Sequence, residues 1–568
     1  MSKKATNAAR IAMSLQRHGV KEVFGQSNPF PITLACMNIG IRQIAYRQEN
    51  AGTYMAHGYA ACSNKAGVVL AQNGPAATLV VAGLAECLKA SIPVIAIVQE
   101  VSQNDMEKNA FQEIDHVKLF EGVSKWVRRI PTQQRIEDYV DMAFIAANSG
   151  RPGPTVLLCP TDMIFDPTEY PVNEARQSNH GHMPLDRVGP DPAVIAKAAK
   201  LLANAKKPFI YAGGGVISSL AQAELRAIQE ECAIPVASST MGKGCVDEKH
   251  PLSMGPIGYY MGMRGASKFM KPMVQEADVV LLVGNRTNQN GTDSWTLLPR
   301  GAEYIHIDID PMEIGRNYET GTRIVGDAKL SLAALLAALK AENLDARKKA
   351  RPDVEKAIKA AKESHVKEAA DVTESNESPI RIERFLAEVN KRLDADHIIA
   401  ADASISSVWL ANYITATDER KFVFPRGIAG LGWGLPMGMG AKAAQPGRKV
   451  FCLAGDGGFA HVWSELETCK RENLDVVIAV INNRILGYQK FAEIALSGGH
   501  YTNACDLGPV DHVKVAEACG VTGIRIEKAE EIPGAVEKAL QLKGVVVLDL
   551  MVAHDCVPPI PLMDSLQK

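Results

Sequence analysis

Short apolar runs recur along the whole chain, at residues 67–71, 93–98, 155–158, 208–212, 279–283, 304–309, 398–400, 450–453, 476–481 and 545–550. A strand covered on both faces is apolar throughout rather than alternating, so each run reads as a buried strand. Beside each run lie stretches of mixed polarity long enough for a helix. That alternation predicts an α/β protein built on doubly wound, Rossmann-like parallel sheets. Two seams interrupt the pattern. The sequence Ser-Gly-Arg-Pro-Gly-Pro at 149–154 leads into a strand, and the polar stretch 169–190 reads as a linker. The stretch 341–379 is rich in Lys, Glu, Ala and Asp and carries no strand signal, so it reads as a solvated helix and linker. Three domains result: 1–170, 190–340 and 380–568, with 341–379 as the linker. The chain's 568 residues exceed what one core can serve.

Composition narrows the picture by exclusion. A formal net charge of −2 supplies no field for nucleic acid or an anionic membrane. No apolar stretch approaches spanning length. The basic N-terminus breaks up its apolar positions with Ser14, Gln16, Arg17 and His18, which fits an amphipathic first helix better than a targeting segment. Eleven cysteines without a C-x-x-C pair suggest buried thiols in a reducing, cytoplasmic setting.

The strongest chemical signal is in the last domain. One predicted strand ends in Gly455-Asp456-Gly457-Gly458, and the next ends in Asn482-Asn483, with Asn482 24 residues beyond Gly458. Small residues after a strand let the backbone approach a phosphate, and a helix opening near Phe459 would turn its positive end toward the anion. Asp456 offers Mg²⁺ a carboxylate oxygen and Asn483 an amide oxygen. Either turn alone is ordinary loop punctuation. Together they resemble the GDG…NN motif of the thiamine-diphosphate (ThDP) enzymes.

The resemblance covers nearly the whole chain. The segment Arg47-Gln48-Glu49-Asn50-Ala51-Gly52, then Met55-Ala56-His57-Gly58-Tyr59-Ala60, is similar to the family's aminopyrimidine-binding segment. Gly74-Pro75-Ala76-Ala77-Thr78 and Ala110-Phe111-Gln112-Glu113 continue it. The middle domain agrees at 213–215, 284–286, 306–310 and 326–327, and the branch resembled is the acetolactate synthase large subunit. The resemblance implies an aminopyrimidine-binding first domain, a central domain and a diphosphate- and Mg²⁺-binding last domain. It makes Glu49 the carboxylate at the aminopyrimidine ring and places Gln112 at the reacting centre. Gly74, Ser404, Ser406, the Ala429 carbonyl and a Leu431 wedge would contact ThDP, with Gly455, Asp456, Gly457, Gly458, Asn483, Gly487 and Tyr488. The metal ligands would be Asp456, Asn483 and the carbonyl of Ile485. For an isolated Glu49 the plain alternative is a helix-capping surface residue, and for Leu431 it is ordinary core.

Departures lie on the substrate side. The family's early glycine-rich loop reads Gln26-Ser27-Asn28-Pro29-Phe30 here, so Ser27, Asn28 and Phe30 are candidate substrate contacts. Tyr488 and Ala492 stand where acetolactate synthases carry Met and Trp. The central domain's turns fit a flavin, but Gly262-Met263-Arg264-Gly265 and Thr287-Asn288-Gln289-Asn290 depart from the family's FAD pattern, leaving FAD, ADP or neither open. The implied function is a carboligase that decarboxylates a 2-oxo acid such as pyruvate and passes the acyl carbanion to a second carbonyl. An aldehyde-releasing lyase or decarboxylase, a flavin-dependent oxidase and a non-catalytic binding protein are the alternatives. Small 2-oxo acids or aldehydes are the expected partners, and a homodimer or homotetramer with sites between subunits is the expected assembly.

Overall fold

The computed structural model describes residues 3–567. Three six-stranded sheets carry the chain, and every pairing within them is parallel. In spatial order the first is Arg42–Ile44, Glu22–Gly25, Gly67–Ala71, Val94–Glu100, Thr155–Pro160, Trp126–Arg129. The central sheet is Ser253–Pro256, Val236–Ser238, Pro208–Ala212, Val279–Val283, Glu303–Asp308, Thr322–Val325. The last is Lys421–Val423, Ile398–Ala401, Val450–Gly455, Val477–Asn482, Val546–Met551, Thr522–Ile526. Numbered by chain order within each sheet, the outer two share the order 2-1-3-4-6-5, and the central one runs 3-2-1-4-5-6. The doubly wound fold class expected from the apolar runs is therefore observed.

The first connecting stretch differs from a simple linker, and the second is helical, as its composition suggested. Residues 170–171 form an antiparallel pair with Lys4–Ala5, and Arg176 binds Asp141 at 2.7 Å, so this polar stretch lies along the first domain. The second seam contains one long helix, Asp345–Thr373, with few buried positions. No helix among the described residues is long and apolar enough to cross a membrane.

The first and last sheets share one core. The Glu49–Ser63 helix crosses the Gly434–Ala444 helix, and a single cluster of buried residues runs from Phe24, Tyr54 and Met55 to Trp433, Met437 and Cys452. The crossing is so close that glycine is required on both sides. A Cβ on Gly58 would lie 2.1 Å from the Met437 carbonyl oxygen, and one on Gly440 would lie 1.9 Å from that of Met55. Tyr54 stacks on Trp433 at the same contact, with centroids 3.5 Å apart. We expect Gly58→Ala to lose about 1–3 kcal/mol through backbone displacement. Thermal denaturation beginning at the wild-type temperature would show that the two helices separate without cost.

Candidate active site

In open parallel sheets, ligands bind beyond the carboxyl ends of strands where the strand order reverses. In the last sheet the reversal lies between Ile398–Ala401 and Val450–Gly455. Residues 402–404 and 456–458 leave those two strands. Asp456 is buried, and its carboxylate accepts the N–H of Gly457 at 2.8 Å and of Arg484 at 2.6 Å. Burial outweighs these donors and pushes its carboxyl up to about 6. A carboxylate whose charge is so poorly compensated suits a cation.

Asn483, also buried, follows the neighbouring strand, where Gly455 faces Ile481. Ile485 forms a bridge with Asp506 whose hydrogen bonds run from Leu486 to Cys505 and from Leu507 to Arg484, both 2.8 Å. The Ile485 carbonyl thus stays outside the ladder. A carboxylate, an amide and an unpaired carbonyl therefore lie on adjoining turns, and such hard oxygens could hold Mg²⁺. The helix expected near Phe459 opens earlier and is short, spanning Asp456–Phe459. The acidic Asp456 in its first turn favours that start. Gly458 lies against a second buried carboxylate, because a Cβ there would sit 2.4 Å from Asp402 Oδ2.

Asp402 carried no signal in the sequence. It accepts the N–H groups of Ala403, Gly432 and Trp433 at 2.7–3.2 Å, and burial pushes its carboxyl up to about 6. It fastens the loop carrying Ala429 and Leu431 to the end of the first strand of this sheet. Leu431 is 36% exposed and its neighbour Ile428 48%, so neither is ordinary core. Ser404 takes a positive φ of 62° ahead of the Ile405–Tyr413 helix, whose first turn buries Ser406. Gly487 opens the Gly487–Leu496 helix, and Tyr488 and Ala492 on it pack against the buried cluster that includes Tyr259, Ile485 and Phe491.

The first sheet reverses between Glu22–Gly25 and Gly67–Ala71. The loop with Ser27, Asn28 and Phe30 leaves one strand, and Gly74 follows the other. Gln26 Nε2 donates to the Arg47 carbonyl at 2.9 Å, bringing that loop to the Glu49 segment. Phe30 meets Phe165 edge-on at 5.0 Å. Gly74 has φ +65°, and a Cβ on it would lie 2.7 Å from that of Gln112. The Gln112 carbonyl oxygen Oε1 accepts from Gln72 at 2.9 Å. Glu49 is the first residue of its helix, and its carboxylate has no hydrogen-bond partner among the described residues. Among the described residues no hydrogen bond joins the Glu49 and Asp456 sets directly. Two buried carboxylates that the sequence reading missed tie the halves together. Glu465 accepts the N–H of Arg47 and Gln48 at 3.0 Å. Glu86 accepts those of Gly427 and Ile428 at 2.5 Å and of Ala429 at 3.0 Å. Burial raises the pKa of both.

The central sheet reverses between Pro208–Ala212 and Val279–Val283, and a cleft of ≈ 140 Å³ opens there. Gly213, Gly215, Arg286, Asp308, Asp327 and Arg426 line it. Asp327 is held by Arg187 at 2.6 Å and Ser219 at 2.7 Å, and burial pushes Asp308 up to about 6.

Comparison with known proteins agrees with this layout. Residues 5–119 match the model of the thiamine pyrophosphate enzyme N-terminal TPP binding domain, 195–335 the central domain, and 402–550 the C-terminal TPP binding domain. The chain is 34% identical to a probable acetolactate synthase large subunit of Methanocaldococcus jannaschii, over 98% of this chain and 93% of the relative. It is 31% identical to acetolactate synthase of Arthrospira platensis (98% and 96%) and 30% identical to the large subunit of Corynebacterium glutamicum (97% and 87%).

Removing the Glu86 carboxylate leaves three N–H groups without acceptors, at about 1–3 kcal/mol each where they are buried. We expect Glu86→Ala to weaken ThDP binding by about 10-fold or more and to lower thermal stability, with Glu86→Gln between it and the wild type. Calorimetry giving wild-type affinity for Glu86→Ala would mean that this clamp does not shape the site.

Proposed function

The chain belongs to the acetolactate synthase large-subunit branch of the thiamine pyrophosphate enzymes, and from that premise we propose that it decarboxylates a 2-oxo acid such as pyruvate and joins the remaining acyl unit to a second carbonyl. It is a ThDP-dependent enzyme of the carboligase class. The observation that carries the fuller reading is that buried Asp456, Asn483 and the Ile485 carbonyl lie on adjoining turns of the last sheet, while the Glu49 carboxylate has no hydrogen-bond partner among the described residues. ThDP, when bound, supplies the electron sink for the departing carboxylate's electron pair.

The chain's residues do the rest in this reading. Asp456, Asn483 and Ile485 hold Mg²⁺ against the diphosphate, with Gly455, Gly457 and Gly458 giving the backbone close approach. Ser404 and Ser406 lie at the same end. The Ala429 carbonyl would accept a hydrogen bond from the aminopyrimidine, and Leu431 would pack against the cofactor's rings. Glu49 holds a proton at the pyrimidine ring nitrogen, a general acid–base role. Gln112, beside Gly74, faces the reacting carbonyl. Ser27, Asn28, Phe30, Tyr488 and Ala492 border the substrate. The first domain, 1–170, binds the aminopyrimidine and the last, 380–568, the diphosphate. FAD, ADP and no nucleotide are the alternatives for the central cleft, and the flavin and adenine absorbance released on denaturation distinguishes them. Eleven unpaired cysteines fit a cytoplasmic setting.

Product analysis by mass spectrometry, with ThDP, Mg²⁺ and a panel of 2-oxo acids and aldehydes, tests the reaction. Carboligation products support it, whereas release of aldehyde alone would replace it with a lyase. We expect Glu49→Gln to keep ThDP bound but to slow exchange of its C2 proton by about 100-fold or more. An unchanged exchange rate by NMR removes Glu49 from this role.

Ile428, Leu431 and, on the other half, Phe111 stand exposed in the single chain, which favours completion of each site by a second copy in a homodimer or homotetramer. Mixing inactive Glu49→Gln and Asp456→Ala chains should then restore activity once subunits exchange. No recovery after demonstrated exchange points to a site within one chain.

A further inference from the structure

The segment that carries Gln112 is backbone held against its preference. Glu107, Asn109 and Gln112 take φ values of 63°, 58° and 62°. Residues with a Cβ occupy that region at a cost and keep it only where their surroundings enforce it. The surroundings do so here. The Glu113 carboxylate accepts the N–H groups of Glu107 at 2.6 Å and Ala110 at 2.9 Å. Buried Asn73 donates through Nδ2 to the carbonyls of Phe111 at 3.4 Å and Gln112 at 3.3 Å, and Gln99 Nε2 donates to Asn73 Oδ1 at 3.0 Å. Buried His116 accepts the Gly74 N–H at 3.1 Å, which keeps Gly74 against Gln112. These bonds fix where the Gln112 side chain starts. A separate one fixes which way its amide turns: Gln72 Nε2 donates to Gln112 Oε1 at 2.9 Å. A primary amide has one accepting oxygen and two N–H donors. Among the described residues nothing accepts from Gln112 Nε2, so the donor end is the one left for a ligand.

We infer that Gln72 is a positioning residue, which orients the Gln112 amide so that Nε2 rather than Oε1 meets the carbonyl oxygen of the 2-oxo acid. The inference rests on the reading above that Gln112 faces the reacting carbonyl. The two ends of an amide are close in size and opposite in chemistry. An amide with no neighbour to choose between them presents either end. The substrate's carbonyl oxygen is an acceptor, and it gains negative charge when its carbon is attacked. A fixed N–H donor aimed at that oxygen binds more strongly as the charge grows, which lowers the barrier. The amide oxygen in the same place would repel it. The strained loop thus sets the position of the Gln112 amide, and Gln72 sets its polarity.

The test uses the holoenzyme with ThDP, Mg²⁺ and the 2-oxo acid of the panel above that it turns over fastest. Gln72→Glu puts a carboxylate, which only accepts, beside Gln112. It should draw Gln112 Nε2 away from the substrate and lower kcat by about 100-fold, the scale of losing one donor to a developing oxyanion. KM and ThDP affinity should change little beside kcat, because the lost bond strengthens only in the transition state. Gln72→Met keeps a similar length without the bond and should lower kcat less, since a released amide still samples the donating orientation. Gln72→Lys alters the shape but keeps a donor, and should stay above Gln72→Met. In a Gln112→Met background, Gln72→Glu should cost no further activity, because the amide it turns is gone. Wild-type kcat in Gln72→Glu, or losses that multiply in the double variant, would falsify the assignment. Circular dichroism and ThDP affinity identify a Gln72→Glu chain that has merely misfolded. The order of Gln72→Lys above Gln72→Met then carries the test, and the reverse order overturns it. A Gln112→Met enzyme with wild-type kcat, or a wild type that turns over no member of the panel, removes the reading above and this inference with it. A slow Gln112→Met enzyme beside an unaffected Gln72→Glu enzyme removes this inference alone.

Discussion

The backbone contact between the Glu49–Ser63 and Gly434–Ala444 helices constrains everything else in the molecule. Gly58 and Gly440 allow each helix to touch the other's carbonyl groups, an approach that no side chain would permit. The first helix starts at Glu49, and the second follows directly on the loop holding Ala429 and Leu431. Their crossing therefore fixes how the outer two sheets face each other. It also removes Tyr54, Met55, Trp433 and Met437 from water as one cluster, so the two domains share a core. A residue with a Cβ at the crossing would displace both helices at once.

Around that crossing, loops are fastened by buried carboxylates accepting backbone N–H groups. Asp402 anchors Gly432 and Trp433, Glu86 anchors Gly427 to Ala429, and Glu465 anchors Arg47 and Gln48. Each carboxylate bears a desolvation cost, visible in its raised pKa. The compensation is order: a loop whose apolar residues stay accessible gains little from apolar packing. Ile428 and Leu431 are exposed, and hydrogen bonds from beneath hold the backbone of their loop instead.

This division explains what the amino-acid sequence made legible. The apolar runs found the strands at the middle of each sheet, such as Gly67–Ala71, Val279–Val283 and Val477–Asn482, because both their faces are covered. They missed the edge strands Arg42–Ile44, Thr322–Val325 and Thr522–Ile526, which are short and mix exposed with buried positions. The Gly-Asp-Gly-Gly turn and Asn483 stood out because they lie at the ends of two adjacent strands that the apolar runs mark. Asp402, Glu86 and Glu465 did not. Their partners lie on remote segments and are mostly backbone groups, which leave no residue-type signature. The polar stretch after residue 168 looked like a free linker because pairing of Tyr170–Pro171 with Lys4–Ala5 depends on tertiary placement.

The outer sheets share one strand order, so the same crevice occurs twice. In each, loops leave the first and third strands of the sheet at the point where the order reverses, and a ligand placed there meets two turns together. The crevices differ in chemistry. The last sheet supplies Asp402 and Asp456 with three glycines between residues 455 and 458, a combination that admits a metal and lets backbone approach an anion. The first sheet supplies Gly74, Gln112 and the loop at 26–30, with Glu49 at the next strand-to-helix junction, and this combination suits a neutral ring that needs one proton held in place. A cofactor with a charged diphosphate at one end and a heteroaromatic ring at the other matches crevices of these two kinds. The fold alone does not dictate the ligand.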